Sequence, residues 1–113
     1  MMELVRLKPY TKALKKLNAS EADIKEAEDS IAANPTLGAP MEGSARKLRF
    51  KMGGHGKRGG GRLIYFYAAR DEVVFLLTAY DKTKKTDLSG ADTAVLRKLI
   101  KSLEGELRKA REK

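Results

Sequence analysis

Arg62-Leu63-Ile64-Tyr65-Phe66-Tyr67-Ala68, a charged break at Arg70-Asp71-Glu72, and then Val73-Val74-Phe75-Leu76-Leu77-Thr78-Ala79-Tyr80 form the stretch that decides the fold. Both runs are short, nearly continuously apolar, and rich in aromatic and β-branched residues. That reads as two strands joined by a turn, covered on most of both faces and therefore central in a sheet. Upstream, Ala45 to Met52 alternates: Leu48, Phe50 and Met52 point one way, Lys47, Arg49 and Lys51 the other. A strand with one buried and one cationic face follows from that period of two. Between it and Arg62, residues 53–61 hold six of the ten glycines and form a connection rather than an element.

Working outward, residues 3 to 8 alternate apolar and polar side chains and read as a charged edge strand ended by Pro9. Residues 10 to 17 make a short helix with Leu14 and Leu17 inward and Lys12, Lys15 and Lys16 outward. Ser20-Glu21-Ala22-Asp23 has N-cap spacing, a serine followed three residues later by a carboxylate, and opens a second helix with Ile24, Ala27 and Ile31 on one face. Asn34-Pro35 stops it, because the residue before proline is pushed out of the α region, and residues 34 to 44 read as loop. Ser89-Gly90-Ala91-Asp92 repeats the N-cap spacing before a long helix with Leu96, Leu99, Ile100, Leu103 and Leu107 in one stripe. The order β, α, α, β, β, β, α predicts a single α+β domain over residues 1–113, with an antiparallel sheet packed against helices.

The chain has 113 residues, 24 Lys plus Arg against 15 Asp plus Glu, a net charge of +9 and no cysteine. One core fits that length and a second substrate domain does not; disulfide frameworks and thiolate metal sites are excluded. No window approaches the 18 apolar residues of a membrane span and no signal-peptide region stands at the start, so the expectation is a cytoplasmic protein. The charge is local. Arg46, Lys47, Arg49, Lys51, Lys57, Arg58, Arg62 and Arg70 lie between Gly43 and Arg70 without one acidic residue. Such a cluster concentrates polyanions, and a phosphate backbone is the natural one.

Gly54-His55-Gly56-Lys57-Arg58-Gly59 matches the dinucleotide fingerprint in letters only, since a strand rather than a helix follows it. Lys57 is followed by Arg58 instead of Ser or Thr, so a Walker-A loop is excluded too. No His, Asp or Glu cluster has metal-site spacing, no cofactor motif is present, and no nucleophile elbow accompanies the single histidine. What remains is cations: Lys47, Arg49 and Lys51 on one strand face, Arg62 opening the next strand, and Lys82, Lys84 and Lys85 after the last. Converging cations suit RNA cleavage, because RNA carries its own nucleophile in the 2′-OH. The protein then has only to accept that proton, stabilise the phosphorane charge and protonate the leaving 5′-oxygen, without a metal. A lysine with a depressed pKa or His55 is the candidate base.

Lys47-Leu48-Arg49-Phe50, Gly56-Lys57-Arg58-Gly59-Gly60-Gly61-Arg62-Leu63-Ile64-Tyr65-Phe66, Leu76-Leu77-Thr78-Ala79-Tyr80-Asp81-Lys82 and Asp87-Leu88-Ser89 resemble the HigB-like branch of RelE/ParE-type toxins. The resemblance covers essentially the whole chain, including Asn34-Pro35-Thr36-Leu37-Gly38. It implies a microbial-RNase-like fold, and the toxin of a type II toxin–antitoxin pair that enters the ribosomal A site and cuts mRNA. It also implies neutralisation by a HigA-like helix-turn-helix antitoxin. Carried over by position, the resemblance implies that Lys47, Arg49 and Arg62 surround the scissile phosphate and that Lys82, Lys84 or Lys85 replaces a missing cation, with Lys82 taken as the catalytic candidate. Lys51, Lys57, Arg58, Lys84 and Lys85 are the candidate RNA- and ribosome-binding residues. Two family positions differ: an arginine aligns near Thr83 and a tyrosine near Ser89. Two other readings compete, a ParE-like gyrase inhibitor and a non-catalytic nucleic-acid-binding module.

Overall fold

The computed structural model describes residues 2–17, 19–52, 60–84 and 88–112. The elements follow as β1 (Glu3–Arg6), α1 (Lys8–Lys16), α2 (Glu21–Ala33), β2 (Ala39–Pro40), β3 (Ala45–Phe50), β4 (Gly61–Ala68), β5 (Val73–Asp81) and α3 (Gly90–Arg111). The strands form one sheet in the order β1-β5-β4-β3-β2. The two apolar runs are thus neighbours at its centre, and the charged N-terminal strand is at an edge, as their compositions predict.

Three local expectations are corrected. The sheet is mixed rather than antiparallel, because β1 pairs parallel with β5; the chain between them passes through two helices and three strands, so no hairpin imposes opposite directions. Residues 34–44 are not all loop, since Ala39 and Pro40 pair with Lys47 and Arg46 as a two-residue edge strand. Pro9 does not separate strand from helix. It sits in the first turn of α1, where a missing N–H costs nothing, and Leu7 is the N-cap. Both predicted capping boxes form: Ser20 with Asp23 and Ser89 with Asp92 exchange reciprocal side-chain to backbone bonds.

The sheet has a core on each face. On one face, Leu63, Tyr65, Val74, Leu76 and Ala79 pack with Phe50 and Met52 against Tyr10 of α1 and Ala27 and Ile31 of α2. On the other, Ile64, Phe66, Val73, Leu77 and Tyr80 pack against Leu96 and Ile100 of α3. A bulge decides which side Tyr80 joins. Ile64 pairs with Thr78 but Tyr65 pairs with Leu76, so Leu77 is an extra residue in β5. The bulge reverses the alternation beyond it and turns Tyr80 to the α3 face.

Tyr65 holds the 34–38 segment to the sheet. Its hydroxyl donates to the Pro35 carbonyl (2.8 Å) and accepts from the Gly38 N–H (2.8 Å). Arg46 Nη1 donates to the carbonyls of Thr36 (3.1 Å) and Gly38 (2.7 Å). Arg46, one of the eight clustered cations, is therefore a structural clamp.

A second clamp ties β1, α1 and α2 together. The hydroxyl of fully buried Tyr10 donates to Glu28 Oε2 (2.7 Å), while Glu28 Oε1 accepts from Arg6 Nη2 (2.9 Å). Burial first, and the bond to Glu28 second, push the Tyr10 phenol far above its ordinary value. A folded pKa above the unfolded one gives a stabilisation that is complete below about pH 10 and is lost as the pH rises above it. Tyr10→Phe is expected to cost roughly 1.5–3 kcal/mol near neutrality. It should also lose less stability than the parent between about pH 9 and 11. Urea unfolding across that range checks this, and identical alkaline slopes would remove Tyr10 from the role.

Candidate functional site

The register of the three central strands builds the site. Arg49 of β3 stands opposite Arg62 of β4, and Arg62 stands opposite Tyr80 of β5. These three residues form one row across the sheet. Strands lie about 4.8 Å apart, so the row spans roughly 10 Å between its outer backbones. Lys47, two residues before Arg49, pairs with Ile64 and shares its side of the pleat. Ile64 belongs to the α3-facing core, which places Lys47, Arg49, Arg62 and Tyr80 on the same face as α3.

Arg62 is the one buried charged residue among the described residues, at 7% exposure. Its Nη1 donates to the Gly61 carbonyl at 2.9 Å. Burying a guanidinium is unfavourable unless its donors are satisfied, so an arginine inside an otherwise apolar strand is an arrangement that core packing alone does not require. In a partly desolvated setting its charge is weakly screened and acts strongly on an anion brought against it. Arg49 is exposed and Lys47 half-buried. The row thus grades from a solvent-facing guanidinium that can receive a phosphate to a buried one that can hold it. Tyr80, 7% exposed, closes the third side with a phenol capable of donating or accepting a proton.

Lys82 lies where the sheet ends. Its N–H donates to the Gly60 carbonyl (2.7 Å), which extends the β4–β5 ladder by one step beside Arg62. Asp81 Oδ1 accepts from the Thr83 N–H (2.9 Å) and hydroxyl (2.6 Å), and the Lys84 N–H donates to the Asp81 carbonyl (3.1 Å). That carboxylate fixes the turn presenting Lys82 and Lys84, both exposed. Lys51 is exposed just beyond β3 and joins Arg49 on the rim of a groove whose opposite wall carries Asp23 and Glu26 of α2. It does not join the row. Lys57, Arg58, His55 and Lys85 lie outside the described residues. Among the described residues no group of three His, Asp or Glu side chains has metal-site geometry, and no helix is long and apolar enough to cross a membrane.

The sequence reading missed Tyr80 as a site residue. Strict alternation along Val73, Phe75 and Leu77 sends Tyr80 to the opposite face, and only the bulge at Leu77 reverses that. The bulge has no marker in the sequence.

The family model described as "RelE toxin of RelE / RelB toxin-antitoxin system" matches residues 2–111. The crystal structure of the isolated E. coli RelE toxin superposes with a TM-score of 0.55 at 16% identity, covering 88% of this chain and 99% of that one. E. coli toxin RelE carrying two arginine-to-alanine substitutions, in the free state, gives a TM-score of 0.53 at 19% identity over 75% of this chain and 87% of that one. At these identities the two structures are likenesses of fold.

Proposed function

This chain belongs to the RelE family of toxins of toxin–antitoxin systems, and from that premise we propose that it is a ribosome-dependent, metal-independent mRNA endonuclease that inhibits translation. The observation that carries the reading is the Arg49–Arg62–Tyr80 row with Lys47 beside it: cations at graded depth on one sheet face, the innermost of them buried. No serine, threonine or cysteine stands in that row, and RNA carries its own nucleophile in the 2′-OH. The 2′-oxygen attacks the adjacent phosphorus as its proton leaves, and the P–O5′ bond breaks as the 5′-oxygen gains a proton. The products are a 2′,3′-cyclic phosphate and a 5′-hydroxyl. Arg62 and Arg49 would stabilise the dianionic phosphorane, while Lys47, Lys82 and Tyr80 would serve the two proton transfers.

The same reading takes the whole chain as one toxin domain in the cytoplasm, acting on mRNA in the ribosomal A site and neutralised by a HigA-like helix-turn-helix antitoxin. Support for the antitoxin type is the resemblance to the HigB-like branch. Exposed Lys51 and Lys84 would bind RNA around the cut, together with Lys57, Arg58 and Lys85.

Purified protein incubated with programmed ribosomes should produce discrete cuts mapped by primer extension. An mRNA carrying 2′-deoxyribose at the cut nucleotide should resist cleavage there by at least about 10³-fold, because the nucleophile is gone. Cutting of the deoxy-substituted message at the parental rate would overturn the mechanism, and an absence of cuts together with unimpaired growth on induction would overturn the activity.

A further inference from the structure

Strand β3 carries two cations of the site, Lys47 and Arg49, yet on its outer side it pairs only with the two residues of β2. Pro40 has no N–H to give to that ladder, so backbone pairing is a weak tether there. Two side chains supply the rest. Arg46 and Tyr65 stand directly opposite each other in the β3–β4 register and share one face of the sheet, the face packed against α1 and α2. Lys47 and Arg49 point to the other face. From the rear, the Tyr65 hydroxyl and Arg46 Nη1 together make four hydrogen bonds to the backbone of residues 35–38. Two of them converge on Gly38: its N–H donates to Tyr65 (2.8 Å) and its carbonyl accepts from Arg46 (2.7 Å).

Gly38 is pressed against the strand at the residue that matters for chemistry. It is buried, and a Cβ there would lie 2.9 Å from both Cε1 and Oη of Tyr65 and 3.1 Å from the Lys47 carbonyl oxygen. The Lys47 peptide is thus enclosed by Gly38 and Ala39 on its outer side and by Ile64 on its inner side. A proton-transfer group tolerates little displacement: a misplacement of about 1 Å can cost on the order of 10²-fold in rate, and a lysine ammonium moves with the backbone that carries it. We propose that Arg46 and Tyr65 are positioning residues, which fix the Lys47 backbone from the rear of the sheet and so hold its ammonium at the scissile phosphate. Both side chains lie on the face away from the row, so they act through the strand and not on the RNA. The inference rests on the mRNA-cleavage reading for the proton transfer, and on the geometry of the clamp for the fixing of β3.

Tyr65→Phe is the cleanest probe, because it removes one oxygen, leaves the charge unchanged and orphans the buried Gly38 N–H. In the full chain, single-turnover cleavage on programmed ribosomes should fall about tenfold. Ribosome affinity should change by less than about twofold, since no phosphate contact is lost. Amide hydrogen exchange across residues 46–48 should quicken by about tenfold as the outer neighbour loosens. A general loss of stability would slow every variant alike, so the deciding readout is coupling to Lys47. In a Lys47→Met background the same Tyr65→Phe change should cost less than about twofold, because the group being positioned is gone. A full tenfold loss in that background, or unaltered exchange at residues 46–48, would overturn the proposal. Should Tyr65→Phe fail to fold, Arg46→Met takes its place in the same cycle, and losses that simply multiply would again overturn it. If the parent binds ribosomes but cuts no message, the cleavage reading fails and the catalytic half of the proposal with it, whereas parental cleavage without coupling between the clamp and Lys47 overturns the proposal alone.

Discussion

Arg62→Ala is expected to lower single-turnover mRNA cleavage on programmed ribosomes by about 10²–10³-fold, while ribosome affinity stays within a few-fold of the parent. The magnitude is that of removing one preorganised donor from a developing oxyanion, about 3–4 kcal/mol of barrier. Arg62 suits that role because it is the buried member of the row, already held by the Gly61 carbonyl at 2.9 Å. Arg49, exposed on the neighbouring strand, should give a smaller loss when replaced by alanine, since solvent screens its charge. Arg62→Lys keeps the charge but removes the planar fork of donors, and should fall between alanine and the parent. Truncating a buried side chain also disturbs packing, so melting temperatures belong beside the rates. If cleavage and affinity decline together in the two alanine variants, in proportion to the charge removed, while Arg62→Lys matches the parent in both, the row is a binding surface and the endonuclease reading fails. Parental cleavage by Arg62→Ala would remove the row from the chemistry altogether.

What the sequence reveals and what it conceals divide along physical lines. Period and capping are local properties, so they survive without coordinates: the alternation of Leu48, Phe50 and Met52 with Lys47 and Arg49, the boxes at Ser20 and Ser89, and the central position of the two apolar runs all stand. Long-range register is not local. The parallel pairing of β1 with β5 depends on where the chain returns after α1 and α2, and the Arg49–Arg62–Tyr80 row depends on register plus one inserted residue at Leu77. Charge alone also misassigns roles. Arg46 sits in the densest cationic stretch yet serves the backbone of Thr36 and Gly38. Lys47, Arg49, Arg62 and Lys82 all stand on the three strands β3, β4 and β5 or one residue past them; the phenol beside Arg62 becomes visible only through the bulge.

Gly61→Ala is expected to destabilise the protein by about 1–3 kcal/mol, although alanine is the smallest possible side chain to add. Gly61 closes the glycine-dense segment, and its composition reads as loop flexibility. The structure gives a different reason for this glycine. It stands directly opposite Phe50 in the β3–β4 register, and a Cβ there would lie 2.5 Å from Phe50 Cε1, 2.6 Å from Cζ and 2.8 Å from Cδ1. The aromatic ring lies across the hydrogen face of the glycine, where no side chain competes for the space. Phe50 is itself buried at 6% exposure within the core that holds Met52, Leu63 and Tyr65, so the ring cannot swing away without opening that core. For a domain of this size the loss corresponds to a melting temperature lower by roughly 5–15 °C. The contact makes a second, sharper expectation: Phe50→Leu alone should destabilise through lost volume, but combined with Gly61→Ala it should cost less than the sum, because the smaller side chain admits the new methyl group. A double-mutant cycle measured by urea unfolding decides it. Strict additivity would mean that the glycine is there for its backbone freedom and not for the ring, and the start of β4, where Arg62 is held, would then owe its position to something other than Phe50.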